Sequence, residues 1–167
     1  MKTPSIRQLV FTSMLAFTLA FMNPIAHSEP TPAPAPAGTA SNETDKETGK
    51  SIITTPTGLK YVELKAGTGP AIKTGDHVVV KYVGKLLDGT KFDASADHGG
   101  EGTFDYVQGV TGLIAGWTEG TSTMKVGGKR KLIIPPQLGY GMQGAGDAVP
   151  PNATLIFEIE LVAVKSN

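Results

Sequence analysis

The sequence predicts an α+β fold in which a twisted antiparallel sheet wraps around one short helix. Three observations lead there. Apolar and polar residues alternate in several runs, a single run has helical spacing, and Asp88-Gly89 marks a tight turn between two of the alternating runs. A half-buried sheet and one helix that must both leave water meet most simply as two layers. Leu59–Leu64 is the first expected strand. In Val78–Leu86, Val78, Val80, Tyr82 and Leu86 share a face, with Lys81 and Lys85 on the other. Thr103–Val107 is the next expected strand. From Leu113 to Met124, Leu113, Ile114, Trp117 and Met124 recur at about the 3.6-residue helical period. Gly116 and Gly120 weaken this helix, so it needs a sheet packed over it. Lys129–Ile134 is a strand whose Lys129-Arg130-Lys131 start reads as a solvated face. In Leu155–Ala163 the inward set is Leu155, Phe157, Ile159, Leu161 and Ala163, with Glu158 and Glu160 outside.

The 167 residues divide into three parts. Residues 1–28 read as a signal peptide: Lys2 and Arg7 lead, Leu9 to Met22 is apolar, and Ala26-His27-Ser28 offers small residues for cleavage after Ser28 or Ala26. The apolar run is shorter than the roughly 20 residues of a spanning helix, so no stable membrane insertion is expected. Residues 29–51 read as a Pro/Ala-rich flexible linker, with Pro30, Pro32, Pro34 and Pro36 alternating with small residues before a polar stretch. Residues 52–167 have the size of one folded domain.

Composition narrows the function. Without the leader, 13 basic side chains face 15 acidic ones, a net charge of −2, which argues against nucleic acid as a partner. The chain has no cysteine, so the domain must hold together through its core, even after export. Asp93-Ala94-Ser95-Ala96-Asp97 starts like a calcium loop, but His98 stands at the turn glycine and Phe104 at the bidentate glutamate. Gly139, Gly141 and Gly144 match a dinucleotide fingerprint in letters alone, since Pro150-Pro151 follow where a helix should run. His77 and His98 are too isolated to suggest a metal site. No metal or cofactor is expected.

What remains is Leu113-Ile114-Ala115-Gly116-Trp117, with the chain's single tryptophan, together with Tyr140, Phe157 and a Pro150-Pro151 corner. Aromatic walls without a nucleophile suggest a dry pocket that binds rather than attacks. Val80-Lys81-Tyr82-Val83-Gly84, Asp88-Gly89-Thr90-Lys91-Phe92-Asp93 and Leu113–Trp117 resemble the FKBP-type peptidyl-prolyl isomerases in order and spacing. So do Met124–Gly127, Ile134–Pro136, Leu138–Gly141 and Val149–Phe157, and the resemblance spans Thr57 to Lys165.

The resemblance implies a half-barrel around a short helix, with a proline-binding pocket between them. Trp117 would be its floor, and Tyr82, Phe92, Phe104 and Phe157 its walls. Leu113 and Ile114 would line one rim, the Ile114 N–H holding a substrate carbonyl, and Val149 would sit on a flap. Tyr140 would donate to a second carbonyl, and Asp93 would be the one ionisable group there. Tyr140, Asp93 and Phe157 are the expected catalytic residues. The implied partners are proline-containing peptides, unfolded exported proteins and macrolide inhibitors of the family. The leader pattern of residues 1–28 points to export, with a periplasm the first expectation and a secreted space or a thylakoid lumen the alternatives, and the protein is expected to be a monomer.

The chain departs from familiar members at Ala145, often histidine, at Ala148, often a larger aliphatic, and at Leu138, often aromatic. The 97–101 loop is slightly longer, and an arginine often paired with the Asp93 equivalent is missing or replaced by His98. Phe157 and Tyr82 would face inward in any core, and Trp117 could be simple filling. Tyr140, between two glycines, has little core to fill. An isomerase, a low-turnover proline-binding chaperone using the same pocket, and an adaptor domain on a tether all remain open.

Overall fold

The computed structural model describes residues 38–166. The expected leader and residues 29–37 of the expected linker lie outside them. Eight strands run β1 Thr39–Thr44, β2 Ser51–Thr54, β3 Lys60–Lys65, β4 His77–Leu86, β5 Lys91–Ala94, β6 Phe104–Val107, β7 Lys129–Ile134 and β8 Leu155–Lys165, with one helix, α1 Ala115–Thr121. They form one antiparallel sheet in the order β1-β2-β3-β7-β8-β4-β5, with β6 also paired to β4. β4 carries β8 along one edge. The other edge is shared, β6 covering His77–Val80 and β5 covering Val83–Lys85. Gly89 (φ 88°) makes the β4–β5 turn, with Leu86 N–H bonded to Thr90 O at 2.9 Å.

Alternation in the sequence translates directly into burial. Val78, Val80 and Tyr82 of β4, Leu132 and Ile134 of β7, and Leu155, Phe157, Ile159 and Leu161 of β8 form one core with Trp117 and Met124. The expected inward position of Ala163 is not kept. A register shift against Val79/Val80 changes the parity of β8, and Val164 packs against the core instead.

The helix is shorter than its apolar spacing suggests, and its glycines face the sheet. A Cβ on Gly116 would lie 2.5 Å from Ile134 Cγ2, and one on Gly120 would lie 2.6 Å from Leu132 Cδ1. These glycines cost helix propensity, yet they let α1 rest directly on β7 and bring Trp117 into the core. Leu113 and Ile114 precede the helix in an extended entry, with Ile114 at φ −58° and ψ 145°.

Two expectations are corrected. The Lys129-Arg130-Lys131 run is not a solvated face: Arg130 and Lys131 are each 5% exposed. Arg130 Nη1 donates to Gly120 O and Thr123 Oγ1, both at 2.7 Å, while its Nε donates to Glu63 Oε2 at 3.0 Å. Its guanidinium also lies 4.4 Å from the Tyr61 ring centre. Thus it caps the helix C-terminus, where a cation is favoured. Lys131 meets Asp45 at 2.9 Å and also Glu47. Those partners belong to the second correction, since residues 39–51 are not plain tether. Thr39–Thr44 pairs with β2, and the turn between the two strands presents Asp45 and Glu47 to Lys131.

Burial pushes the Asp45 carboxyl up, but hydrogen bonds from Lys131 and Thr48 outweigh it and hold the group below the ordinary carboxylate value. Burial pushes the Lys131 ammonium down, and Glu47 and Asp45 outweigh that, raising it. Asp45 therefore contributes stability above the unfolded carboxylate pKa and loses it as pH falls through the folded value. Lys131 contributes below the unfolded lysine pKa and loses it as pH rises through its folded value. Lys131→Met should lower urea-unfolding stability by about 1–3 kcal/mol. The gap should be widest between about pH 4 and pH 10 and narrow outside that window. Gly116→Ala should destabilise by about 1–3 kcal/mol through overpacking against Ile134, despite alanine's better helix propensity.

Candidate active site

The indole of Trp117 is 4% exposed and lies among four rings. Tyr82 and Phe157 approach it edge-on, each with centroids 5.1 Å away and interplanar angles of 88°. Phe104 lies at 6.2 Å and 90°, and Tyr106 at 6.1 Å and 76°. Such edge-to-face contacts match the positive rim of one ring to the negative face of another. Gly84 in β4 creates the space: a Cβ there would come within 2.8 Å of both Phe157 and Phe92.

Above the indole opens a cavity of about 350 Å³. Tyr82, Phe104, Trp117 and Phe157 form its aromatic surface, and Leu113, Ile114 and Gly112 its edge before the helix. Asp93, His98 and Tyr140 supply its polar part. Most expected site residues therefore come together, with two exceptions. Phe92 stands behind the wall, 5.4 Å from Phe157, and supports it. Val149 is 2% exposed and packs into the core, its N–H and C=O both bonded to Ala145.

Asp93 is not the one ionisable group at the cavity. Its Oδ2 accepts from the Tyr82 hydroxyl at 2.7 Å, and its Oδ1 lies 2.7 Å from His98 Nε2. His98 reaches it from a short 3-10 turn, Ser95–His98, which Ser95 ties to β4 by accepting from the Tyr82 N–H at 3.1 Å. Burial, with the Asp93 bond and charge behind it, pushes the Tyr82 phenol far above its ordinary value. Burial and the Asp93 charge raise Tyr140 as well.

Tyr140 is 39% exposed, and its hydroxyl makes no hydrogen bond among the described residues. Its loop is closed by Gly141 N–H to Pro136 O at 2.9 Å and by Asn152 N–H to Gly141 O at 2.8 Å. The Ile114 N–H is likewise uncommitted among the described residues. One aromatic with alternating position on β6, Tyr106, escaped the sequence reading. Its hydroxyl donates to Thr121 Oγ1 at 3.0 Å, and Thr121 and Gln108 bond the carbonyls of Trp117 and Thr118. This network holds the floor from below.

The arrangement offers an apolar chamber with two free donors near its edge and one bonded carboxylate. Among the described residues there is no group of three His, Cys, Asp or Glu side chains that could hold a metal ion. No helix among them is long and apolar enough to cross a membrane. Asp93→Asn should lower the pH at which Tyr82 and Tyr140 ionise, read by ultraviolet phenolate absorbance, because it removes the charge that opposes phenolate formation. An unchanged titration of both would exclude the Asp93 influence.

Comparison with known proteins gives a consistent picture. A family model described as FKBP-type peptidyl-prolyl cis-trans isomerase matches residues 69–162. The chain is 48% identical over 118 residues to FK506-binding protein 4 of Dictyostelium discoideum, covering 71% of this chain and 31% of that protein. It is 47% identical over 116 residues to the FKBP-type peptidyl-prolyl cis-trans isomerase FkpA of Escherichia coli, covering 70% and 41%. The crystal structure of FkpA from Escherichia coli matches with a TM-score of 0.63, covering 69% of this chain and 52% of that one. A peptidyl-prolyl cis-trans isomerase structure from Pseudomonas syringae pv. tomato matches with a TM-score of 0.61 at 36% identity, covering 69% and 81%. The chain thus spans less than half the length of these two curated relatives. With the sheet, the single helix and the aromatic chamber in place, the chain belongs to the FKBP-type peptidyl-prolyl cis-trans isomerase family.

Proposed function

We propose that the protein is a peptidyl-prolyl cis-trans isomerase that accelerates X–Pro rotation in exported proteins, and that it binds proline peptides and family macrolides in the Trp117 chamber. The observation that carries this reading is an open aromatic cavity floored by Trp117, with the Tyr140 hydroxyl and the Ile114 N–H both uncommitted. Export to a periplasm or comparable space rests on the charged, apolar and small-residue pattern of residues 1–28. A monomeric state remains part of the proposal.

Rotation about an X–Pro bond is slow because twisting loses amide resonance, a barrier of about 18–20 kcal/mol. Unaided, it takes tens to hundreds of seconds. The planar amide is more polar than the twisted one, so water favours the ground state. An apolar chamber removes that preference, and donors already in place hold the carbonyls as the bond turns. Tyr140 and the Ile114 N–H align the peptide, Trp117 and its neighbours exclude water, and Phe157 closes the wall. Asp93, held by Tyr82 and His98, orients the polar side. No covalent bond to the protein forms, and each ~1.4 kcal/mol of selective stabilisation gives about tenfold in rate.

A second reading, a holding module with little turnover, draws on exposed apolar surface near the mouth. Val110 and Met142 are 71% and 80% exposed and stand two residues from Gly112 and Tyr140. A protease-coupled assay on a proline tetrapeptide separates the two readings. Tyr140→Phe should lower kcat/KM about 5- to 20-fold, the loss of one hydrogen bond of about 1–2 kcal/mol. Phe157→Leu, which keeps β8 apolar, should lower it further while circular dichroism stays unchanged. Full activity in a folded Tyr140→Phe protein would remove that residue from the mechanism, and absence of turnover in the parent protein would favour the holding module.

A further inference from the structure

We propose that His98 is a specificity-determining residue: its pairing with Asp93 at the chamber mouth makes preference for charged residues beside the substrate proline depend on pH. The inference rests on the isomerase reading for its substrate and on geometry for the rest. His98 lines the cavity, its side chain is 61% exposed, and its Nε2 lies 2.7 Å from Asp93 Oδ1. The second carboxylate oxygen is occupied by the Tyr82 hydroxyl. A carboxylate in that position has one charged-state neighbour, and that neighbour is an imidazole.

Histidine is the side chain whose ordinary titration falls between about pH 5 and 8. When the ring is protonated, the Asp93–His98 pair is neutral overall. When it is not, the mouth carries one net negative charge. The other groups around the pair do not change charge in that interval or are already matched. Tyr82 from β4 and Tyr140 from the 139–153 loop are phenols raised by burial and by Asp93. Asp97, on the same turn as His98, is bridged by Lys91 at 2.8 Å. The charge seen by a peptide entering over Leu113 and Ile114 is therefore set by the histidine.

The test uses two blocked proline tetrapeptides that differ in Lys or Glu before the proline. For the unmodified protein, the kcat/KM ratio of Lys to Glu peptide should rise roughly three- to tenfold from pH 5.5 to pH 8, the size expected for one charge at the edge of a solvated pocket. The ratio should be flat and low in His98→Arg, flat and high in His98→Gln, and the wild-type rise should shrink at high salt. A flat wild-type ratio, or a His98→Gln protein that follows the wild-type curve, overturns the proposal.

If neither peptide is turned over, the isomerase reading fails. Peptide affinity read from the single tryptophan's fluorescence then decides the charge preference by the same ratio. Independently of any substrate, the His98 Nε2 resonance should move in Asp93→Ala, which removes the partner of that nitrogen. An unmoved resonance overturns the pairing itself.

Discussion

The structure depends on surrounding one indole with rings set at steep angles to it while keeping it in the lining of an open cavity. Each edge-to-face contact on Trp117 contributes about 0.5–1.5 kcal/mol beyond area burial. Against this stands the Trp117 Nε1–H, which makes no hydrogen bond of full geometry among the described residues, although the Tyr106 hydroxyl lies close enough for a weak one. With four ring partners the balance favours the buried position. The nest also requires α1 to lie close on β7, which only side chains as small as Gly116 and Gly120 permit. A helix with better intrinsic propensity would stand further from the sheet and draw the floor out of the chamber.

Charged side chains within the fold are paired rather than left bare. Arg130 and Lys131 are buried, but both face away from the cavity, one tying down the end of α1 and the other the β1–β2 turn. The Asp93 carboxylate and the His98 imidazole, which both reach the cavity, are bonded to each other. The Tyr106–Thr121–Gln108 network occupies the polar groups beneath the indole in the same way. Unsatisfied polar atoms in that layer would otherwise invite solvent.

A site of this kind needs no nucleophile. Its contribution to rotation of an amide would come from a change of medium and from donors whose positions are set before substrate arrives. Preorganisation is what the fold supplies: Tyr140 is fixed by a loop closed at Pro136 and Asn152, and the Ile114 N–H by the extended entry into α1. Neither donor is spent among the described residues.

The positions of β3, β4, β6, β7 and β8, the Asp88-Gly89 turn and most inward residues of β4 and β8 were legible because period-two alternation is a local signal. The resemblance placed the ring residues because their spacing along the chain survives in one sequence. Other features could not be read that way. Asp45 and Lys131 are 86 positions apart, so nothing local distinguishes a partnered lysine from a solvated one. The shift that replaces Ala163 by Val164 depends on how β8 meets β4, and the retreat of Phe92 and Val149 from the cavity depends on what packs in front of them. His98 looked isolated along the chain, yet its turn folds back onto Asp93. Local pattern and composition thus determined five of the eight strands, the helix, most of the apolar faces and the absence of cysteine chemistry, but not β1, β2 or β5. Tertiary structure decided which polar groups are paired, which donors stay free and which aromatic side chains see the chamber, since those depend on distances across the sheet that chain order does not contain.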